Sequence, residues 1–441
     1  MTIYATPPIS TGVGRGRRKK VDFDSQAISS LRNWVNEEAT RAKATPAAWY
    51  TSPDIFELEC RYLFAKTWHM VGHSDKVANP GDFFTIELLG LPILVTRDRQ
   101  GEVHALSNVC LHRAGRVASG EGNSKAGFSC LYHGWSYNHD GSGRSAAGME
   151  DAEDFDPKAL QLPTYQVRVW EKWVFVALGA DAPDFDSWIE AVASRSKNYS
   201  MDELEFHGAR RYVAPINWKL INDANHEAYH VPFVHPRMVN AYNVAEVFGV
   251  VNPDDLTTSA NGVEAALEQP RGYTQKASDT SGEIMAMEPN PRGPFSSVVA
   301  ALGGTADYRA IKPPLDSLKG EDRRTHFFLF NWPGLSHFHF MPDGLGIVLI
   351  VPIDHENMEL YVEWWMPKVS RLDERLLQAA LIVFGNGVLD EDVAVTQLVW
   401  KGLQSGVYDT GRLAPTEEGL LSAYNRWYVD QMQAGLILEG V

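Results

Sequence analysis

Two short runs of cysteine and histidine, separated by 17 residues, constrain this chain more than any other feature of its sequence. The first run is Cys110-x-His112 and the second is Cys130-x-x-His133, within CLHRAGRVASGEGNSKAGFSCLYHGW. A tetrahedral zinc site could use the same four residues, but its usual order is two cysteines followed by two histidines. The alternating order instead predicts two loops that each give one cysteine and one histidine to a shared centre.

A Rieske [2Fe–2S] centre matches this alternation, because both of its cysteines bind one iron and both of its histidines bind the other. Two loops that each carry a cysteine and a histidine would then each reach both irons. Trp135 and Tyr132 are predicted to screen the cluster from water. The remaining cysteine, Cys60, lies outside the pattern and is predicted to be an inert core thiol.

Composition and charge limit the partners and the compartment. A formal net charge of -16 argues against nucleic-acid binding, which needs clustered lysine and arginine. Three cysteines in 441 residues do not make a disulfide framework, which indicates a reducing compartment. We expect the cytoplasm, with an organellar matrix as the alternative, since the N-terminus is basic and lacks acidic residues. The sequence contains no run of eighteen apolar residues, so it predicts no membrane span.

The pattern of short runs along the chain predicts two domains. Residues 1–45 read as an arm and a helix, and 46–67 as a helical segment that packs on the larger domain. Residues 68–178 hold short β-rich runs between turn signals, which predict an all-β module. Residues 179–441 mix strands and helices, so we expect an α+β fold with an antiparallel sheet covered by helices. Within them, 247–314 is rich in Gly, Pro, Ser and Asp and is predicted to be a lid or substrate loop.

The stretch HEAYH, which runs from His226 to His230, fits the H-E-x-x-H signature of zinc peptidases. That signature needs both histidines on one helical face and a third ligand. The nearby third histidine, His235, is one residue out of the metzincin spacing, and Pro232 would disrupt the helix. Spacing alone leaves open a peptidase with a distant glutamate ligand, but a peptidase has no use for an electron-transfer cluster. His226 is then expected to be a partly exposed helix residue.

A Rieske electron carrier is the other alternative. Such a protein needs only the β-rich module, so every residue after 178 would be unexplained.

At these motifs the chain resembles the catalytic α subunits of Rieske non-haem iron oxygenases, and the resemblance covers nearly its whole length. The segments WYTSPDIFELE, NPGDFFT and KGLQSGVYDTGRLAPTEEG are most similar to the branch that contains choline monooxygenase. The resemblance implies a Rieske domain, a catalytic domain with one mononuclear Fe(II) and assembly as a homotrimer, with a separate β subunit left open.

Such an iron is held by two histidines and one carboxylate on one face. The family motif matches NWKLINDANHEAYHVPFVH and implies that His230 and His235 are the imidazole ligands. In GNGVLDEDVAVTQLVWKGL the family pattern assigns the carboxylate to Asp392, with Asp390 as the alternative. Glu391 is expected to point away from the site if this segment is helical.

Two further acidic residues precede these ligands. The resemblance implies that Glu227 bridges towards a cluster histidine of a neighbouring subunit and carries electrons between subunits. Asp223 departs from the family pattern, because Ala224 follows it and Asn225 comes one residue later. Asp223 either orients a ligand histidine by a hydrogen bond or is a plain aspartate at a helix end.

The resemblance implies a terminal oxygenase that takes electrons from NAD(P)H through a reductase, with or without a ferredoxin. It would use O₂ to hydroxylate or oxidatively demethylate a small organic substrate, by mono- or dioxygenation.

The substrate is expected to be an aromatic compound or acid, or a quaternary amine such as choline or a betaine. Aromatic side chains would hold a quaternary amine by cation–π contacts, although they serve equally as core. An arginine in the pocket, Arg292 or Arg309, would favour a carboxylated substrate. The candidate walls are Trp332, Phe338, Phe340, Trp364 and Trp365.

Overall fold

The computed structural model describes residues 20–241, 274–277, 281–286, 299, 301–302, 311–323 and 326–440. The chain divides into two compact units. The first is built on residues 57–187 and is called the cluster unit below, because it contains the two Cys-His runs. The second comprises residues 22–56 and 188–441 and is called the large unit.

The cluster unit is built from ten strands. They form an antiparallel sheet in the order β1-β10-β9-β4-β3-β2-β5 and a smaller antiparallel sheet of β6, β7 and β8. The strands are β1 Trp68–His73, β2 Asp82–Leu88, β3 Leu91–Arg97, β4 Val103–Ser107, β5 Glu121–Asn123, β6 Phe128–Ser129, β7 Ser136–Tyr137, β8 Gly143–Ser145, β9 Thr164–Trp170 and β10 Trp173–Ala177.

Short turns and a small apolar core position the two Cys-His runs in this unit. Leu89 and Gly90 join β2 to β3 and have φ angles of 50° and 74°, which suit a tight two-residue hairpin turn. One run follows β4 and the other lies between β6 and β7. Cys110 and Cys130 belong to a buried core cluster with Tyr137. The cysteines are therefore fixed by packing as well as by their loops.

A second antiparallel sheet, of seven strands, forms the centre of the large unit. Its order is β11-β17-β16-β15-β14-β13-β12. The strands are β11 Leu204–Ala214, β12 Thr274–Ala277, β13 Ser281–Ala286, β14 His326–Asn331, β15 Ser336–Met341, β16 Gly344–Pro352 and β17 Met358–Pro367.

Helices α8 and α9 contact this sheet, and the boundaries between the two units fall within α3 and α4. The longest, α8, contacts both β11 and β17. The helices are α1 Gln26–Arg32, α2 Ala47–Thr51, α3 Pro53–Tyr62, α4 Phe185–Ser196, α5 Lys219–Asn225, α6 Val231–Val234, α7 Pro236–Ala241, α8 Leu372–Gln404 and α9 Gly419–Leu438.

The predicted α+β class, with a β-rich module followed by an antiparallel sheet and helices, is confirmed. The helix expected over NWKLINDANHEAY is shorter than predicted, since α5 ends at Asn225. The predicted lid at 247–314 lies mostly outside the described residues, which hold β12, β13 and a few positions around them. Arg292 and Arg309 also lie outside them. Among the helices that the structure describes, none is long and apolar enough to cross a bilayer.

Candidate functional site

Two loops of the cluster unit repeat one backbone geometry around the predicted cysteines. In each loop the cysteine N–H donates to the carbonyl five residues later, from Cys110 to Gly115 and from Cys130 to Trp135, both at 2.8 Å. The residue four positions after each cysteine donates back to the cysteine carbonyl, at 3.0 and 2.9 Å. Both cysteines are buried. The loops therefore match each other although their histidines stand at different spacings.

The four side chains form one cluster. Burial is the main cause that raises the pKa of Cys110, and the neighbouring Cys130 thiol raises it further. The rings of His112 and His133 have their centroids 4.6 Å apart. The Nδ1 atom of His112 is buried and has no hydrogen-bond partner in the described part of the chain. A Cβ at Gly115 would lie 2.9 Å from the Cys130 sulfur, so only glycine leaves this room. Two thiols, two imidazoles and an unpartnered ring nitrogen fit a Rieske centre.

The aromatic residues beside this cluster differ in exposure. Trp135 is buried and stacks on His112, with ring centroids 4.6 Å apart. The rings of Tyr132 and His133 have their centroids 3.8 Å apart, but Tyr132 is 58% exposed. Trp135 therefore shields its histidine, whereas much of Tyr132 is in contact with water.

Tyr137 is a residue of this site that the sequence reasoning missed. Its buried hydroxyl oxygen accepts the Leu111 N–H at 3.0 Å and lies 3.4 Å from the Cys110 sulfur. Because the oxygen already accepts an amide hydrogen, its own O–H can point at the sulfur. Burial raises the pKa of Tyr137. The signal in the sequence is its spacing of two residues from Trp135, which is the side-chain period of an extended chain.

In the large unit three ligand atoms converge from distant parts of the chain. The Nε2 atoms of His230 and His235 lie 3.2 Å apart. The Oδ1 atom of Asp392 lies 3.4 Å from Nε2 of His230 and 2.9 Å from Nε2 of His235. The two histidines flank the short helix α6, and the aspartate projects from α8. These residues, called the triad below, form the one described cluster of acidic, histidine or cysteine side chains close enough to share a metal ion.

A second carboxylate supports each imidazole of the triad from behind. Nδ1 of His230 lies 2.5 Å from Glu227, which also accepts the His230 backbone N–H at 3.0 Å. Nδ1 of His235 lies 2.9 Å from Glu391. A carboxylate accepts only, so each Nδ1 carries the hydrogen and each Nε2 lone pair faces the centre. This arrangement of carboxylate, imidazole and metal is typical of protein metal sites.

Charge in the triad results from competition between burial and ion pairing. Burial opposes protonation of His230, but Asp392 and Glu227 outweigh it and raise its pKa to about 10. Burial likewise opposes ionisation of Asp392, yet its contacts with His230 and His235 hold its pKa below the usual value. A field that keeps a proton on an imidazole also favours a divalent cation at the same point. The charge and the donor set fit a two-histidine, one-carboxylate iron site.

A cavity of about 150 Å³ opens onto the triad within the large unit. Most of its wall is apolar, and aromatic rings contribute from the sheet and from α8. Its described lining contains neither lysine nor arginine. The lining aromatic and histidine side chains outside the triad are Phe328, Phe340, Trp364, Phe384, His326 and His339.

Family models match both units of the chain. Residues 67–166 match the Rieske [2Fe-2S] domain, and residues 201–434 match the ring hydroxylating alpha subunit catalytic domain. The second match alone spans more than half of the chain. The chain belongs to the ring-hydroxylating α-subunit family.

Known relatives of this α subunit include two kinds of monooxygenase. The choline monooxygenase of Amaranthus tricolor is 28% identical over 85% of this chain and 75% of that protein. The oxygenase subunit of glycine betaine monooxygenase from Chromohalobacter salexigens is 25% identical over 89% of this chain and 87% of that protein.

Solved structures give the same fold. The quaternary ammonium Rieske monooxygenase CntA matches with a TM-score of 0.70 and 20% identity, over 90% of this chain and 100% of its own. Naphthalene 1,2-dioxygenase matches with a TM-score of 0.66 and 21% identity, over 91% of this chain and 95% of its own. Identities this low show the fold alone.

The predicted membership, enzyme class and cofactors of the α subunit are confirmed. The protein is a Rieske oxygenase that carries a [2Fe–2S] cluster and a mononuclear iron.

The acidic residues near the triad do not all lie where the sequence suggested. Asp390 is half-exposed and pairs with Arg210 at 2.6 Å, outside the triad. The expectation that Glu391 points away was wrong, because adjacent residues of α8 can straddle one imidazole, with Glu391 on Nδ1 and Asp392 on Nε2. Asp223 lies on α5 and accepts a hydrogen bond from the Tyr50 hydroxyl.

The HEAYH stretch of the α subunit is a turn between helices instead of a zinc-binding helix. His226 caps the end of α5 and is fully buried, so the expected exposure was wrong. Its Nδ1 donates to the Asn222 carbonyl at 2.7 Å, and its Nε2 accepts from the Trp332 indole N–H at 2.9 Å. Both ring nitrogens are engaged, so His226 cannot share a metal with His230. Burial lowers the pKa of His226 to about 3, which keeps it neutral.

The predicted substrate walls separate into two groups. Phe340 and Trp364 line the cavity. Trp332 packs against His226, while Phe338 and Trp365 are buried and do not belong to the described lining.

Proposed function

We propose that this α subunit monooxygenates a small quaternary ammonium compound, with electrons that a reductase draws from NAD(P)H. The observation that carries the proposal is an aromatic-walled cavity that opens onto the triad and has no lysine or arginine in its described lining. The monooxygenases of choline and glycine betaine among the relatives support it. CntA, which shares the fold, has been solved with its substrate L-carnitine.

The residues that would hold the cofactors follow from the two clusters of ligand atoms. Cys110, His112, Cys130 and His133 would hold the [2Fe–2S] cluster. His230, His235 and Asp392 would hold the iron. When bound, the cluster supplies electrons and the iron supplies a site at which O₂ is reduced beside the substrate.

The chemistry of a monooxygenation assigns the chain its tasks. O₂ takes up two electrons and two protons; one oxygen atom enters a substrate C–H bond, and the other leaves as water. If the carbon is an N-methyl group, the resulting hydroxymethyl group breaks its C–N bond and releases formaldehyde and the demethylated amine. Glu227 and Glu391 keep their imidazoles in the Nδ1–H tautomer, and the apolar cavity wall limits the access of water to the reacting carbon.

The electrostatics of the cavity suit a permanent cation. The rings of Phe328, Phe340, Trp364 and Phe384 offer π faces that attract a quaternary ammonium group. Burial lowers the pKa of His339 to about 3, so this imidazole stays neutral and does not repel the cation.

A neutral aromatic compound is the second candidate substrate, because naphthalene 1,2-dioxygenase shares the fold and aromatic walls also stack on arenes. NADH-dependent O₂ uptake with a matched reductase separates the two classes, on a panel of choline, betaines, carnitine, aromatic acids and arenes. We expect uptake with stoichiometric product for one or more of the ammonium compounds. Product from the aromatic members alone would overturn the proposed substrate class.

We propose further that the chain works as a homotrimer in which Glu227 links the iron site to the cluster of a neighbouring subunit. Inter-subunit electron transfer is described for CntA. Exposed apolar residues beside each candidate site support a contact between copies: Leu131 is 81% exposed next to the cluster histidines, and Phe233 is 71% exposed beside the triad.

Glu227→Gln tests the electron route. The variant should keep its cluster, its trimeric mass by light scattering and, with Fe(II) supplied in excess, its iron, while turnover falls at least about tenfold, as for removal of a group that supports a metal ligand. Asp390→Asn is the matched control on α8, since Asp390 pairs with Arg210 away from the triad. Full turnover by Glu227→Gln would exclude the bridging role.

The cysteine content supports a reducing compartment, and we propose the cytoplasm. The choline monooxygenases among the relatives are chloroplastic, which keeps an organellar matrix as the alternative. Fractionation of the source cells with an antibody to the chain decides between them.

A further inference from the structure

Four residues form a row across the sheet on the cavity wall. In the strand register Phe328 pairs with His339, His339 with Gly346, and Gly346 with Trp364. All four line the cavity, so one face of the sheet forms a floor under the substrate space. Gly346 is the one member of the row without a side chain, and this gap leaves space for its neighbour's ring.

The indole of Trp364 fits between two glycines. A Cβ at Gly346 would lie 3.2 Å from Cζ3 of the indole, which is tighter than most real contacts. A Cβ at Gly385, on α8, would approach Cη2 and Cζ2 of the same ring well inside 3.0 Å, which real structures do not tolerate. Glycine is disfavoured inside a helix, so Gly385 weakens α8 locally while it makes room for the ring.

A hydrogen bond fixes the orientation of this ring. The indole N–H of Trp364 donates to the side-chain oxygen of Asn386 at 3.0 Å. The backbone carbonyl of Asn386 in turn accepts from the Tyr212 hydroxyl at 3.2 Å, which ties α8 to β11. Because Asn386 and Asp392 lie on one helix, the indole is held at a set distance from the carboxylate of the triad.

We propose that Gly346, Gly385 and Asn386 are positioning residues that lock Trp364 as the specificity-determining wall of this oxygenase. The locked indole would receive the ammonium group of the substrate and so decide which carbon reaches the metal. This inference rests on the proposed substrate class for the ammonium group, but the slot itself does not depend on that class.

Two helical glycines provide a matched pair of variants. Gly385→Ala should displace the indole and raise the KM for the preferred substrate at least about tenfold, with more O₂ consumed per product. Gly387→Ala, two residues further along α8 with nothing within 4 Å of its Cβ, should leave both quantities unchanged. Iron content and cluster absorbance should stay close to those of the parent in both variants. An unaltered KM and coupling in Gly385→Ala would overturn the inference.

A double-mutant cycle tests the contact itself. Trp364→Phe removes the ring atoms that meet Gly385, so Gly385→Ala should have little further effect in that background. Additive effects of the two changes would contradict the slot. If Gly385→Ala does not fold, Gly346→Ala supplies the same cycle from the other glycine that contacts the ring.

A comparison of a charged substrate with an uncharged one tests this inference separately from the proposed function. Trp364→Leu should reduce the preference for choline over its uncharged carbon isostere 3,3-dimethylbutanol, measured by competitive binding with calorimetry as well as by turnover. An unchanged preference would exclude the indole as the ammonium wall. If the enzyme binds only aromatic compounds, the substrate class is wrong, while non-additivity of Gly385→Ala and Trp364→Phe on their binding still confirms the slot.

Discussion

The two ligand clusters of this oxygenase differ in how their residues are brought together. The four cysteine and histidine residues lie between positions 110 and 133, on two loops with the same backbone hydrogen bonds. The triad joins a turn after α5 to the middle of α8, from position 230 to position 392. The first site is local and repeats itself, whereas the second depends on how a helix packs against a distant turn. The spacing of residues in the sequence reveals a local site, but a site whose residues are far apart in the sequence is recognised only in the folded structure.

Removal of one ligand from each site gives the largest expected effects and tests whether the sites are independent. Asp392→Ala should lose the iron and with it turnover while the cluster absorbance remains, because the site loses the one carboxylate of its two-histidine, one-carboxylate set. Cys110→Ser should lose the cluster absorbance and keep the iron. Metal analysis and visible spectra measure both.

The control for these two variants is Asp390→Ala, which removes a half-exposed partner of Arg210 and should keep both metals. Loss of iron in Asp390→Ala would show that the assignment of the carboxylate is wrong.

Glu391→Gln tests a feature of the triad, in which a second carboxylate holds the Nδ1–H of a ligand imidazole. The amide removes a charge from Nδ1 of His235. We expect iron affinity to fall about 10- to 100-fold with an unchanged cluster. Competition with a chelator measures the affinity, and equal chelation curves for variant and parent would exclude this role.

Buried neutral histidines should make the large unit sensitive to acid. In the large unit, burial lowers the pKa of His226 to about 3 and that of His337 to about 4. In the cluster unit, burial lowers the pKa of His69 to about 4. The unfolded chain binds protons near pH 6.5, so stability is lost as pH falls from there towards the folded pKa. At pH 5 each such histidine lowers the free energy of unfolding by about 2 kcal/mol relative to neutral pH. His226→Gln should reduce the fall in melting temperature between pH 7 and 5; the same fall in both proteins would contradict the assignment.

Tyr137→Phe should have the smallest effect and tests the local site. The variant loses the O–H that faces the Cys110 sulfur and leaves the Leu111 N–H without its acceptor. One such hydrogen bond contributes about 1 kcal/mol, which corresponds to roughly 40 mV for one electron. We expect a lower cluster potential, because the bond stabilises the more negative reduced form. Voltammetry measures it, and an unchanged potential would show that the O–H points elsewhere.

The sequence by itself determined the local site and the fold class. The loops that carry Cys110 and Cys130 each close by hydrogen bonds between residues four and five apart, so the shape of each loop is local to its own run. The α+β class followed from runs of strand-like and helical residues, since each element buries one face. His230 and His235 were implied by the resemblance of NWKLINDANHEAYHVPFVH to the family motif, and they flank the short helix α6.

Only the tertiary structure decided the rest. Spacing could not distinguish Asp390 from Asp392, or place Glu391 on His235, because both depend on the rotation of α8 about its axis. It also could not show that His226 is buried and paired with Trp332, or that Gly385 makes room for Trp364. Each of these contacts joins residues more than a hundred positions apart or on different elements. Their formation is set by packing in three dimensions, which no local pattern records.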